Sequence, residues 1–318
     1  MLIKALAIII ILPLVVLAGL FFLTRHLITT AEEKLPPSGR FVTAEGLRLH
    51  YIEKGSGRDL VLIHGANGTL EDFRATIFDE LAKKYRVIAI DRPGHGYSQR
   101  DENIPLDPGR QAEIIHAALQ KIGVKRPVIA GFSWGGAVAV SYGLKWGDET
   151  AALVSIAGAT YPWPIPVDAK WYLPVWPLIG QLLTETLVMP AGLILARPAV
   201  AESFAPDPVS PRYFADGPLA LALRPASFRA NAEDVRLLKP YLRRISPRYG
   251  ELKMPVEILH SDGDRVVSLD IHSRPLARTA PAARLHVLKN AGHLLPYSHP
   301  DEVIAAIDRA MTRSATGR

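Results

Sequence analysis

The sequence predicts an α/β fold with a doubly wound, mostly parallel central sheet flanked by helices, and three observations carry that prediction. Short apolar runs take turns with longer helical periodicities through most of the chain. The runs are nearly continuous in apolar character, as strands are when helices cover both faces of a parallel sheet. The alternation stops once, from about Tyr161 to Leu252. A helical insertion there leaves the sheet intact if it lies above the C-terminal ends of the strands, where α/β folds bind ligands.

Taken in order, the chain opens with ALAIIIILPLVVLAGLFFL from Ala5 to Leu23, an uncharged run close to the ~20 residues that cross a bilayer core. A cleaved signal has a shorter apolar run of about 7–15 residues and then a small-residue cleavage site. The one candidate site, ending at Ala31, fits poorly, so residues 1–27 read as an uncleaved, single-pass transmembrane helix that anchors the protein to a membrane. Lys4 and the amino terminus on one side, against Arg25, Lys34 and Arg40 on the other, do not decide its orientation. Such N-terminal segments usually leave the C-terminal bulk outside the cytoplasm, so the body is expected there. Residues 28–39, with Pro36-Pro37-Ser38-Gly39, read as a linker.

The body is expected to form a core from residues 40–160 and 253–318, with 161–252 as a helical cap. FVTAEGLRLHYIEKG reads as a hairpin turning at Glu45-Gly46. Next come the strand DLVLIHG, the helical run FRATIFDELAKK, the strand YRVIAID and the helix GRQAEIIHAALQKIG. RPVIAGFS is a strand, AVAVSYGLKW a helix and ALVSIAG a strand. The insertion holds Trp163, Trp171 and Trp176 and the apolar stretch PLIGQLLTETLVMPAGLILA. PVEILHSDGD and ARLHVLKNAGH are the last strands, and DEVIAAIDRAMTR closes the chain as a helix.

Composition removes several function classes. There is no cysteine among the 318 residues, which excludes a disulfide framework, a thiolate nucleophile and a cysteine metal site. The net charge of +6 comes from scattered basic residues with no Lys/Arg block, so nucleic acid is not an expected partner.

The chemistry starts at Gly131-Phe132-Ser133-Trp134-Gly135, a G-x-S-x-G motif between a strand and a helix of small residues. That context suits a strained turn that exposes the serine hydroxyl at a helix N-terminus. The competing reading is a serine that merely caps the helix. A serine needs a base to take its proton, and in the order Ser, acid, His the base falls on His293, in Asn290-Ala291-Gly292-His293. The acid should follow the preceding strand, where Asp262 and Asp264 compete. Asp264 is favoured because it falls deeper in the loop, leaving Asp262 as a turn residue. The oxyanion of a tetrahedral intermediate needs two backbone donors. The Trp134 N–H is one, and the loop His64-Gly65-Ala66-Asn67-Gly68 supplies the other, with Ala66 chosen. His64 reads as a brace for that loop, and His260, His272, His286 and His299 read as packed or solvated histidines.

Together HGANG, DRPGHGYS, GFSWGG, SDGD and NAGH, in this order, resemble the α/β-hydrolase superfamily with a helical cap after the sixth strand. The resemblance covers the chain from about Arg40 to the last helix. It implies a Ser133–His293–Asp264 triad with no cofactor or metal, and a structural role for Asp91 to Ser98 in shaping the floor of the site. Members with this layout that open epoxides or remove halogens use a carboxylate where Ser133 stands, so those activities are not expected. What remains is acyl chemistry, most simply an esterase or lipase acting on a small apolar ester. The alternatives are acyl transfer or perhydrolysis, as in haloperoxidase-like members, and hydrolysis of a lactone, thioester or C–C bond. A non-catalytic binding protein on the same fold is a further reading, and the intact Ser, Asp and His set argues against it.

Overall fold

The computed structural model describes residues 2–316, with side chains described for 11–315. Eight strands form one sheet: β1 (Arg40–Ala44), β2 (Leu47–Lys54), β3 (Asp59–Ile63), β4 (Arg86–Ile90), β5 (Val128–Phe132), β6 (Ala152–Ile156), β7 (Val256–Ser261) and β8 (Ala283–Leu288). Their order is β1-β2-β4-β3-β5-β6-β7-β8. Pairing is antiparallel for β1–β2 and β2–β4 and parallel for the rest. Glu45 and Gly46 turn the first hairpin with φ of 50° and 77°, the doubly left-handed geometry that a two-residue hairpin loop requires.

Successive residues of a strand face opposite sides, so each strand feeds two cores. Val61, Ile63, Ile88 and Ile90 join the helices Pro108–Ile122 and Trp134–Lys145 on one face. Leu60, Leu62, Val87 and Ala89 join the C-terminal helix Pro300–Thr316 on the other, through its Val303, Ala306, Ile307 and Ala310. That helical set recurs at the spacing of one helix face. Each fully buried aliphatic side chain contributes about 1.5–3 kcal/mol.

Between β6 and β7 lies the insertion. Its main helices are Ile179–Leu183, continued through a π-helical turn at Thr184–Val188 into Met189–Phe204, and the long Pro225–Ile245. Asn231 and Asp234 of that last helix reach Asn67 and Arg92. Those two residues lie in the loops that leave the C-terminal ends of β3 and β4.

Two local expectations change. FRATIFDELAKK forms two short helices, Glu71–Arg74 and Phe78–Ala82, in place of one run. Residues 28–34 are not linker: the first helix runs from Leu2 to Lys34. Ala, Glu and Lys in this stretch favour helix. Leu27, Ile28, Ala31 and Leu35 recur on one face and pack against Met189, Leu221 and Leu223 of the insertion. Pro36 and Pro37 then stop the helix.

Candidate functional site

Ser133 follows β5 directly and has φ 52° and ψ −117°, backbone values that a non-glycine residue adopts only under constraint. The constraint is visible. Its N–H donates to Ile156 O at 2.9 Å, and its carbonyl accepts from the Gly136 and Ala159 N–H groups at 2.9 Å each. The flanking glycines are steric necessities. A Cβ on Gly131 would lie 2.2 Å from Gly135 O, and one on Gly135 would lie 2.3 Å from Ile63 O. The Ser133 side chain makes no capping bond to the helix it starts. Its Oγ lies 2.9 Å from His293 Nε2 instead, so the capping alternative fails.

His293, in the loop after β8, has Nδ1 2.7 Å from Asp264 Oδ2. Asp264 follows β7, and its other oxygen accepts from the Val266 and Val267 N–H groups at 2.8 Å each. Burial pushes the Asp264 carboxyl up, but His293 and His260 outweigh it and hold the group well below the usual carboxylate range. The carboxylate is therefore charged, as it must be to orient an imidazole and stabilise an imidazolium. Asp262 turns outward, where it accepts from Asn290 N–H at 2.7 Å and pairs with Lys289 at 2.9 Å. It fastens the turn that carries the His293 loop.

The loop of Ala66 and the helix start at Trp134, where the oxyanion amides are expected, both adjoin Ser133. A Cβ on Gly65 would stand 2.9 Å from Ser133 Cβ, so the loop bearing Ala66 passes directly against the serine. Trp134, on the other flank, is buried. The loop is braced from below by Arg92, whose guanidinium donates to His64 O at 3.1 Å and Gly65 O at 3.0 Å and lies over the Trp134 ring at 4.1 Å. His64 Nε2 accepts the Arg92 N–H at 2.9 Å, which leaves Nδ1 to donate to Gly65 O at 2.9 Å. Burial and the Arg92 charge depress its pKa well below the ordinary value, so it is a neutral brace. Asp91 accepts from Leu70 N–H at 2.8 Å and Tyr97 N–H at 3.0 Å, tying the floor loop together. His95, also buried and neutral, joins the Arg92 cluster.

Sequence reading missed several supports. His260 is packed, as expected of a histidine on a strand, but its Nε2 lies 3.2 Å from Asp264 Oδ2 and it holds the acid's loop through Val267 O at 2.8 Å. The available signal was its place four residues before the acid. His272 accepts from the Thr160 and Tyr161 N–H groups, and burial, then the His260 charge, bring its pKa down to about 4. From the insertion, Ser203 O accepts the His293 N–H at 3.0 Å and Asp207 accepts the Gly292 N–H at 2.8 Å. No local motif marks either residue. The site is closed over, with Ser133 8% and His293 4% exposed. A cleft of about 1140 Å³ nearby is lined by neither residue. It is a polar seam where Arg25, Arg100, Arg224 and Arg229 pair with Glu185, Glu233, Glu32 and Glu102.

A nucleophile, a base and an acid in hydrogen-bonded sequence, beside two backbone amides, can carry acyl chemistry on a carbonyl carbon. Comparison with known proteins adds an independent finding. A model of the "Alpha/beta hydrolase family" matches residues 60–306. A 2-hydroxymuconate semialdehyde hydrolase of Pseudomonas sp. (strain CF600) is similar, at 26% identity over 287 residues, 85% of this chain and 92% of the relative. Among solved structures, the enol-lactonase from Burkholderia xenovorans LB400 superposes with a TM-score of 0.70 at 18% identity, over 86% of this chain and 100% of its own. A membrane phospholipase A, described as a bacterial virulence factor, gives 0.64 at 23% identity over 98% of this chain and 96% of its own. At those identities the two structures show the fold.

Proposed function

The chain belongs to the alpha/beta hydrolase family, and from that premise we propose that it is a serine hydrolase cleaving a bond beside a carbonyl carbon, a C–C bond or a lactone ahead of an open-chain ester. The observation that carries the mechanism is the Ser133–His293–Asp264 relay, at 2.9 Å and 2.7 Å. In it, His293 Nε2 takes the Ser133 proton as Oγ attacks the carbonyl, and Asp264 steadies the imidazolium. The Trp134 and Ala66 amides receive the oxyanion. His293 then protonates the departing carbon or oxygen, and water, activated by the same imidazole, releases the acid from Ser133. The choice of bond is supported by the semialdehyde hydrolase relative and the enol-lactonase fold neighbour. It revises the expectation of an open-chain ester, because the triad is common to all these reactions and cannot rank them.

A second reading, a lipid ester, is favoured by one observation. Ile11, Leu12, Leu14, Val15, Val16 and Phe22 of the first helix are exposed, which suits a membrane anchor. The phospholipase match extends over nearly the whole chain, this helix included. We read the helix as an anchor under either substrate.

The test is turnover by the full chain in mild detergent of a 2-hydroxy-6-oxo-dienoate, a set of lactones and p-nitrophenyl esters of rising acyl length, with Ser133→Ala as control. We expect kcat/KM for the dienoate or a lactone at least tenfold above the best ester. The reverse order, rising with acyl length, would establish the lipid reading. Turnover of any substrate by Ser133→Ala at the wild-type rate would remove the nucleophile.

A further inference from the structure

The first helix and the insertion meet at a definite level. Thr24, one residue past the apolar run, is fully buried and donates to Thr186 O at 3.1 Å, and Arg25 pairs with Glu185 at 2.7 Å. On the C-terminal side of this level, Ala31 and Leu35 pack with Met189, Leu221 and Leu223 in a small apolar core. The segment before Glu185 therefore leaves the contact in the opposite direction, toward the apolar end of the first helix. That segment is unusually apolar at its surface: Tyr172, Leu173, Trp176, Leu178, Ile179 and Leu182 are all exposed, Leu178 by 82%. A soluble domain seldom leaves so many large apolar side chains together in water.

Depth decides the occupant. If Ala5–Leu23 spans the hydrocarbon, Thr24 and Arg25 mark its edge, and with them Glu185 and Thr186. Leu182 precedes Glu185 by three residues, and Ile179, where the helix begins directly after Leu178, by six, about 5 and 9 Å of helix. That reach matches the ~5–10 Å to which interfacial elements bury their apolar face. Tyr172 and Trp176 are the residue types that favour the headgroup level.

Resting on the anchor reading above, we propose that this face of the insertion, from Tyr172 to Leu182, is seated in the bilayer leaflet beside the first helix. The catalytic body then touches the membrane at two places, and the insertion that pins His293 through Ser203 is itself in contact with lipid.

The absence of native cysteines allows a direct test on the full chain. Leu178→Cys and Leu182→Cys would each carry an environment-sensitive fluorophore in phosphatidylcholine–phosphatidylglycerol vesicles. Phe22→Cys reports the anchor, and Lys125→Cys reports the opposite, N-terminal end of β5. Far-UV circular dichroism and the melting midpoint confirm that each variant is folded. Doxyl groups on the lipid acyl chains are expected to quench labels at 178, 182 and 22 at least twofold and leave 125 unchanged, with aqueous iodide doing the reverse. Lipid quenching at 22 with iodide quenching at 178 and 182 would overturn the inference while keeping the anchor. Iodide quenching at 22 as well would overturn both. Labels at 178 and 182 shielded from both quenchers would show a protein cover, such as a second copy, and overturn it too.

Discussion

The core and the insertion handle apolar side chains in opposite ways. In the core, β3 through β7 bury their aliphatic residues completely between two layers of helix. In the insertion, Leu178, Ile194 and Leu195 stand more than two-thirds exposed, although its long helix is packed on the core. The core is held by area removed from water and would fold around many sequences of the right volume. The long helix of the insertion packs Leu238, Tyr241, Leu242 and Ile245 into that core, and polar ties, Asp234 to Arg92 and Arg100, Asn231 to Asn67, and Ser203 to His293, link the insertion to the site. The same ties support the loops of the active site, so the region that leaves more apolar surface exposed helps to position the chemistry of the core.

Four measurements would break or sharpen this contrast. The largest effect is expected inside the core's own machinery. Asp264→Asn should lower kcat about 10⁴-fold, by losing the acceptor that orients His293, while Asp262→Asn stays within about twofold. Equal losses would mean that the two aspartates share the role.

Next comes the tie itself. Asp234 lies fully buried between Arg92 and Arg100. Asp234→Ala leaves the buried Arg92 guanidinium without its carboxylate and Arg100 with Glu233 alone, and should cost about 3–5 kcal/mol in urea unfolding. It should also slow labelling of Ser133 by a fluorophosphonate, since Arg92 braces the Ala66 loop. A stable variant labelled at the normal rate would detach the insertion from the site.

Third, Leu259→Ala in β7 should cost about 3 kcal/mol by leaving a cavity, whereas Leu178→Ala should change stability in detergent by under about 0.5 kcal/mol. Comparable costs would show that the insertion's surface is packed in solution.

The smallest effect concerns the contact of Tyr297 with the insertion. Asp72 is buried against Tyr297, which meets Phe204 and Tyr213 of the insertion edge to face. Burial pushes its carboxyl up to about 7, against about 3.9 when unfolded. The folded state therefore holds this proton more tightly. The contribution is complete below pH ~4 and is lost as pH rises through 7. Asp72→Asn should remove about 2 kcal/mol of the stability lost between pH 5 and 8, read from melting curves at each pH. An unchanged pH slope would assign that loss to other groups.

Much of the fold was legible along the chain because strand and helix periods are local properties. β3 through β8 lie where apolar strands were read, and β1 and β2 form the hairpin read from the alternation around Glu45-Gly46. The G-x-S-x-G turn was legible for a similar reason, since only glycine fits at Gly131 against the turn's own backbone and at Gly135 against the end of β3. The helical extent of residues 28–34 was not, because that stripe of Leu27, Ile28 and Ala31 has meaning only once Met189 and Leu221 lie against it.

By itself, then, the sequence determined the layered α/β architecture and two side chains of the relay, Ser133 and His293, through periodicity, turn sterics and the order of motifs, and favoured Asp264 for the third. Tertiary structure alone decided which aspartate meets His293. Asp262 and Asp264 are two residues apart, and only the path of the loop after β7 turns one inward and the other to Lys289. It also decided that Ser203, Asp207 and Asp234 support the site, because each acts across a long sequence separation through an ordinary hydrogen bond that leaves no local pattern. The bond that is cleaved is written in neither the motifs nor the relay, since one serine, one imidazole and two amides serve every acyl substrate alike.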